Sequence, residues 1–290
     1  QLLDAVPGDT YKQYKISNSV VLDQVNKIYE LGTHDRQLSD KFAQAMTILA
    51  ADIKEEEIIN IYGIDANYYY LTESLCWPIL KEIVEEKLIA DPEQVNDRMR
   101  ELSLKLPVDS DIQIAIRFIE QSALYYAQVR GHGTLKLNST KEYIEKYIEE
   151  FYLVDLYYRR TLEAYHELIT KENSIEQTLS SAKRQLDLEY AKITNVLNLE
   201  WLTCVGEKGA WFTETGLKRQ EDFYKNESDT SVKQVVIVCD ALRYEVAKEL
   251  MQELAKEKHI ATIDAYQAML PTETKYCKPA LLPHHSLELN

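Results

Sequence analysis

Glycine and proline are scarce in this chain of 290 residues, at 8 and 7. So few backbone breakers exclude a loop-rich or low-complexity protein and favour long helices. Cysteine is held to 4, at positions 76, 204, 239 and 277, with no CxxC spacing. That pattern excludes a dense disulfide framework, and a reduced cytoplasmic setting is the expectation. Cys239, inside an apolar run, reads as a small buried hydrophobe. No apolar stretch approaches the length of a membrane span. The opening Gln-Leu-Leu-Asp-Ala-Val-Pro has neither the charged n-region nor the h-region of a secretory leader.

Acidic residues, in contrast, abound. The chain carries 48 Asp+Glu against 33 Lys+Arg, a formal net charge of −15. Residues 231–290 hold only 8 and 7 of these, so the acidity belongs to residues 1–230. A surface so charged repels phosphate backbones, which argues against autonomous DNA binding by that region. Hydrophobic content of 45% is ample for a buried core.

Apolar residues recur at helical spacing through most of the acidic region. Val21, Val25 and Ile28, then Phe42, Met46 and Leu49, fit two helices broken near Gly32-Thr33-His34-Asp35. A further helix over about 67–89 contains Pro78, which should kink or split it. Asp91-Pro92 opens a shorter helix that Pro107 ends. Ser110-Asp111-Ile112-Gln113 reads as a capping box for a helix to about Arg130, closed by Gly131-His132-Gly133. Ser139-Thr140-Lys141-Glu142 and Ser174-Ile175-Glu176-Gln177 are similar boxes for two helices of roughly 30 residues, to about Thr170 and Cys204. Joined by a short link, these two should form an antiparallel hairpin. Tyr143, Tyr147 and Phe151 lie at helical spacing and read as packing residues, and His132 as a loop residue. A last helix over about 214–225 leads to Asn226-Glu227-Ser228-Asp229-Thr230-Ser231, the best domain boundary.

Beyond it the pattern changes. Gln234-Val-Val-Ile-Val-Cys-Asp240 is a continuous apolar run ending at a carboxylate, as when a buried parallel strand delivers an acid to the ligand-binding edge of a sheet. A helical pattern follows, then a second short apolar run over 260–266, then Pro271-Thr272-Glu273-Thr274. Asp240 is a hard oxygen donor for a metal ion. Thr274, placed where a following helix begins, offers a hydroxyl nucleophile, with backbone N–H groups and the helix dipole favouring a phosphate. Each residue also has a plain structural reading. A carboxylate often ends a strand, the two threonines could be a turn and an N-cap, and Arg243 could bind phosphate or pair with Glu245 or Glu249. His284 and His285 read as surface or outer residues.

The ordered set Val-Ile-Val-Cys-Asp-Ala-Leu-Arg-Tyr-Glu-Val-Ala, Leu-Pro-Thr-Glu-Thr and Ala-Leu-Leu-Pro-His resembles the start of a PglZ domain, a branch of the alkaline phosphatase superfamily found in BREX phage-defence systems. The resemblance is dense over about 234–286. It is weaker in Val154-Asp155-Leu156-Tyr157-Tyr158-Arg159 and Gln220-Glu221-Asp222-Phe223-Tyr224. It implies a mainly α region (1–230, a helical bundle with a long hairpin), followed by an incomplete α/β segment of an alkaline-phosphatase-like core (231–290). Thr274 is implied as nucleophile and metal ligand, Asp240 as a ligand of a zinc pair, and Arg243 as a possible phosphate contact. Thr272 is the competitor for the nucleophile role. The family usually has a small-residue run before Ala-Leu-Leu-Pro-His, where this chain has Lys275-Tyr276-Cys277-Lys278-Pro279.

A chain that begins at Gln1 and ends at Asn290 within this motif set reads as a fragment, inactive alone. The intact protein is expected to hydrolyse a phosphate ester with a divalent metal, in company with other BREX defence proteins. The alternative is a non-catalytic interaction scaffold of the defence complex. A receiver-like phosphoacceptor would need an acidic pair in the first strand–helix loop and a late-strand Lys, and neither is visible.

Overall fold

A computed structural model describes residues 17–34, 38, 41, 44–45, 48, 59, 63, 73–106, 110–131, 136–171, 174–208, 215–228, 231–269 and 271–287. The chain divides into two compact units, Gln1–Gly131 with Tyr157–Tyr190, and His132–Leu156 with Ala191–Asn290.

Every regular element among the described residues of the first unit is a helix. Its centre is α4 (Asp111–Gly131), preceded by α1 (Ser19–His34), α2 (Glu73–Glu82) and α3 (Pro92–Ser103). Ile112, Ala115, Phe118, Ile119, Ala123 and Tyr125 on α4 are all fully buried. A helix apolar on nearly every side belongs in the middle of a bundle. Asp91 caps α3, its carboxylate accepting from the Gln94 N–H at 3.2 Å, with Pro92 in the first turn as its sequence implies. Pro78 sits inside α2, and the helix continues as a π-turn over Ile83–Lys87. The capping box at Ser110 does not form. Gln113 instead sends its amide back to the end of α3, donating to the carbonyls of Ser103 and Leu106 and accepting from the Ser103 hydroxyl. On α1, Val21, Val25 and Ile28 are exposed. Most of the second helix expected near Phe42–Leu49, with Pro107 and His132, lies outside the described residues.

The two long helices form as expected. The first comprises α5 (Thr140–Lys146), a π-turn (Tyr147–Phe151) and α6 (Tyr152–Leu168), and the second is α7 (Glu176–Lys208). Ser139 caps α5 by accepting from the Glu142 N–H at 3.2 Å. In the first unit the pair runs antiparallel, with Tyr165 bonded to Ser180 at 3.0 Å and Tyr158 stacked on Tyr190 at 3.7 Å. In the second unit Tyr143 donates to Glu200 at 3.2 Å and meets the Trp201 ring edge-on.

The rest of the second unit departs from expectation in three places. Of the helix expected over 214–225, the described residues 215–225 do not form one helix. They run from irregular residues 215–217 into β1 (Lys218–Arg219), a 3₁₀ turn (Gln220–Asp222) and the start of α8 (Phe223–Glu227). The second apolar run contributes only β2 (Tyr266–Gln267), which pairs in parallel with β1, Lys218 opposite Tyr266 and Arg219 opposite Gln267. The run before Asp240 is not a strand. Residues 233–239 carry no ladder among the described residues, and Val235 and Ile237 are each 80% exposed. An apolar run becomes a buried strand only where neighbours pair with it on both edges and cover both faces. Cys239 shares that exposure and is no core residue.

Candidate active site

Asp240 is the last residue of the exposed run and opens a tight turn. Its Oδ1 accepts from the N–H of Ala241 at 3.0 Å, and Ala241 takes φ 58°, the left-handed region. A residue with a Cβ pays about 1–2 kcal/mol there, so the turn is held by its surroundings and not by local preference. The chain leaves the turn through Leu242 and Arg243 into α9 (Tyr244–Lys256).

Thr274 arrives from the other side as the first residue of α10 (Thr274–Ala280), a short helix that forms despite Pro279 within it. The approach is preset by Pro271, whose carbonyl accepts from the Glu273 N–H at 2.8 Å. The Thr274 hydroxyl then donates to both carboxylate oxygens of Asp240, at 3.2 and 3.1 Å. Residues 34 positions apart thus place two oxygen donors side by side in solvent. No hydrogen bond ties Thr272 to Asp240 among the described residues. His284 and His285 are exposed, and the His284 Nδ1 lies 2.7 Å from the Leu282 carbonyl.

Arg243 turns its guanidinium to Glu245, 2.8 Å from Oε1, and that carboxylate is fully buried. The ion pair is the structural partner that the sequence offered, and it fixes the Arg243 side chain at the mouth of α9. Helical residues outside the motif set pack behind it. The Tyr244 ring meets Tyr147 and Tyr152, and the Lys248 ammonium lies over the rings of both Tyr152 and Tyr244. Tyr147 donates to Asp155 at 2.6 Å, and burial with that bond raises its phenol pKa well above the ordinary value. The π-turn at Tyr147–Phe151, which no sequence pattern announced, is where this ring enters the packing.

Sequence reasoning also missed the bracket before the run. Gln220 donates its amide to the Cys277 carbonyl at 3.2 Å and accepts from the Met269 N–H at 3.0 Å. Thr215 bonds Gln267 at 2.7 Å, and Glu227 receives both Lys218, at 2.9 Å, and the Tyr266 hydroxyl. The Gln220–Tyr224 similarity was the one signal pointing there.

A cavity of about 810 Å³ in the same unit is lined chiefly by Tyr143, Tyr147, Phe151, Trp201, Tyr244 and Tyr266. Neither Asp240 nor Arg243 nor Thr274 lines it, so the chemistry suggested by the motifs lies elsewhere. Among the described residues, no group of three or more His, Cys, Asp or Glu side chains converges as a metal site. Asp240 and Thr274 fit a divalent cation as two hard oxygen donors, part of the three or four that zinc takes.

The family model described as BREX system PglZ alkaline phosphatase-like domain matches residues 221–290, a span that includes Asp240, Arg243 and Thr274. The chain is 29% identical over 184 residues to an alkaline phosphatase-like protein PglZ of Bacillus cereus (strain H3081.97), covering 59% of this chain and 21% of that protein. It is 27% identical over 170 residues to an alkaline phosphatase-like protein BrxZ of Escherichia coli O9:H4 (strain HS), covering 56% of this chain and 15% of that one. The matched portion is thus about a fifth or less of either relative's length. No solved structure matches the chain. Residues 221–290 therefore carry PglZ-type, alkaline phosphatase-like sequence of the BREX kind.

Proposed function

We propose that this chain is part of a metal-dependent phosphoric ester hydrolase of a BREX-type phage-defence system, with Thr274 as nucleophile. The observation that carries the reading is the pair of contacts, at 3.2 and 3.1 Å, between the Thr274 hydroxyl and the Asp240 carboxylate. With its proton directed at Asp240, the Thr274 oxygen keeps its lone pairs free for an electrophile. A new bond from Thr274 Oγ to phosphorus would form as the ester P–O bond breaks, and water would later release the phosphate from the threonine. A divalent cation, zinc by family analogy, held by Asp240 and Thr274, would acidify the hydroxyl and offset phosphate charge. Arg243, three residues beyond Asp240, is held by Glu245 through one guanidinium nitrogen and is about half exposed, so its remaining N–H groups would donate to phosphate oxygens.

On this reading residues 1–230 are an acidic helical region and residues 231–290 the first part of the PglZ, alkaline-phosphatase-like domain. The helical region then serves contacts with other BREX defence proteins in the cytoplasm. Among the described residues no helix is long and apolar enough to cross a membrane. The test is hydrolysis of an aryl phosphate ester by the full-length protein supplied with zinc or manganese. Turnover that disappears in Thr274→Ala supports the reading. A full-length protein that binds its defence partners but neither hydrolyses esters nor retains metal would make the scaffold alternative the better account.

A further inference from the structure

The bracket formed by Gln220 bears directly on Thr274. β1 and β2 pair in parallel for two residues, ending at Arg219 opposite Gln267. The next residue, Gln220, turns into a 3₁₀ helix, so its main chain cannot extend the ladder. Its side chain does so instead. The amide oxygen takes the Met269 N–H at 3.0 Å, the kind of donor a continuing strand would have satisfied. The same amide's nitrogen donates to the Cys277 carbonyl at 3.2 Å. Met269 precedes Pro271, and Cys277 lies in the first turn of α10, which Thr274 opens, so the N–H and carbonyl partners flank Thr274 on either side. One planar group therefore ties both sides, 49 and 57 residues away in sequence. A carboxamide supplies a donor and an acceptor from one planar tip, and asparagine is a carbon shorter. The Cys277 thiol adds weak contacts across the same neck, to the carbonyls of Met269 at 3.5 Å and Pro271 at 3.7 Å.

We propose that Gln220 is a positioning residue that ties Met269 to the first turn of α10 at Cys277 and so fixes the Thr274 hydroxyl against Asp240. Gln220 lies just ahead of the span that the family model matches. The proposal rests on the hydrolase reading for its catalytic consequence, and on hydrogen bonds alone for its structural one.

The test compares full-length wild type with Gln220→Met, which keeps length and loses both bonds, and Gln220→Glu, which keeps only the acceptor. Amide exchange of the segment containing 269–277 is followed by mass spectrometry, alongside steady-state hydrolysis of an aryl phosphate. Gln220→Met should speed exchange in that segment alone and lower kcat about 10- to 100-fold with KM and melting temperature unchanged, the size of a misplaced reacting group. Gln220→Glu should fall between Met and wild type in both readouts. Unchanged exchange in Gln220→Met overturns the clamp, and faster exchange with full kcat overturns the positioning role. A fall in kcat matched by a lower melting temperature overturns it too, as a general loss of fold. If wild type itself shows no turnover, the hydrolase reading fails separately, and exchange alone then decides the clamp.

Discussion

The Thr274 hydroxyl and the Asp240 carboxylate, 34 residues apart in sequence, lie 3.1 Å from one another at their nearest oxygens. Asp240 opens a tight turn and Thr274 opens α10, so each is set by the start of its own local element. Thr274→Ala in the full-length protein should lower kcat at least about 10³-fold, as loss of a nucleophile does. The fold should survive, because the deleted hydroxyl is exposed and packs against nothing else. Asp240→Asn should reduce both rate and bound metal, measured by elemental analysis. Wild-type turnover in Thr274→Ala would move the nucleophile to Thr272 or to water.

Arg243 and Glu245 make a different kind of pair, since the carboxylate is fully buried and the guanidinium about half exposed. Arg243→Ala strands a buried anion, and the expected cost is about 1–3 kcal/mol of stability in urea titration. Arg243→Ala with Glu245→Ala should recover part of that loss, because no unpaired charge remains. A neutral single variant would show that Glu245 does not depend on Arg243.

How much of this could be read from the sequence differs by element. The helices over 140–168 and 176–208 were legible because their apolar spacing persists for many turns, and Ser139 does cap its helix. The same kind of box at Ser110 failed, because a glutamine amide can find partners other than its own helix, and Gln113 found them at the end of α3 and in the turn after it. The apolar run before Asp240 had the composition of a strand, but a strand is a property of pairing, and the only ladder among the described residues joins Lys218–Arg219 to Tyr266–Gln267. The juxtaposition of Asp240 and Thr274 was legible through the ordered motif. The clamp from Gln220 was not, since its partners are distant main-chain atoms that carry no side-chain signature.

Cys239 and Cys277 should react at different rates. Cys239 is exposed on the unpaired run, whereas Cys277 is half-buried and its thiol pKa is raised by burial. A raised pKa leaves less thiolate near neutral pH, and thiolate is the reacting species. Iodoacetamide at pH 8 should therefore modify Cys239 well before Cys277, as read by peptide mass mapping. Equal rates would mean that the run before Asp240 is covered.

Alkaline stability of the first unit offers a test with a defined sign. Tyr126 on α4 is pushed up to about 12 by burial and then by the nearby Glu189 carboxylate. Tyr158 is likewise pushed up to about 12, by burial and by its bond to Asp187 at 3.1 Å. In an unfolded chain both phenols ionise near their ordinary value of about 10. A group whose folded pKa is raised gives stability that is complete below the unfolded value and is lost as pH rises through the folded one. Unfolding free energy should thus hold steady up to about pH 10 and fall between about 10 and 12. Tyr126→Phe removes a phenol that cannot ionise comfortably in the fold while keeping the ring. It should change stability little at pH 7 and reduce the alkaline loss by at most about 2–3 kcal/mol. Urea titrations across that pH window measure both effects. An identical alkaline slope in wild type and variant would show that Tyr126 is as well solvated as in the unfolded chain.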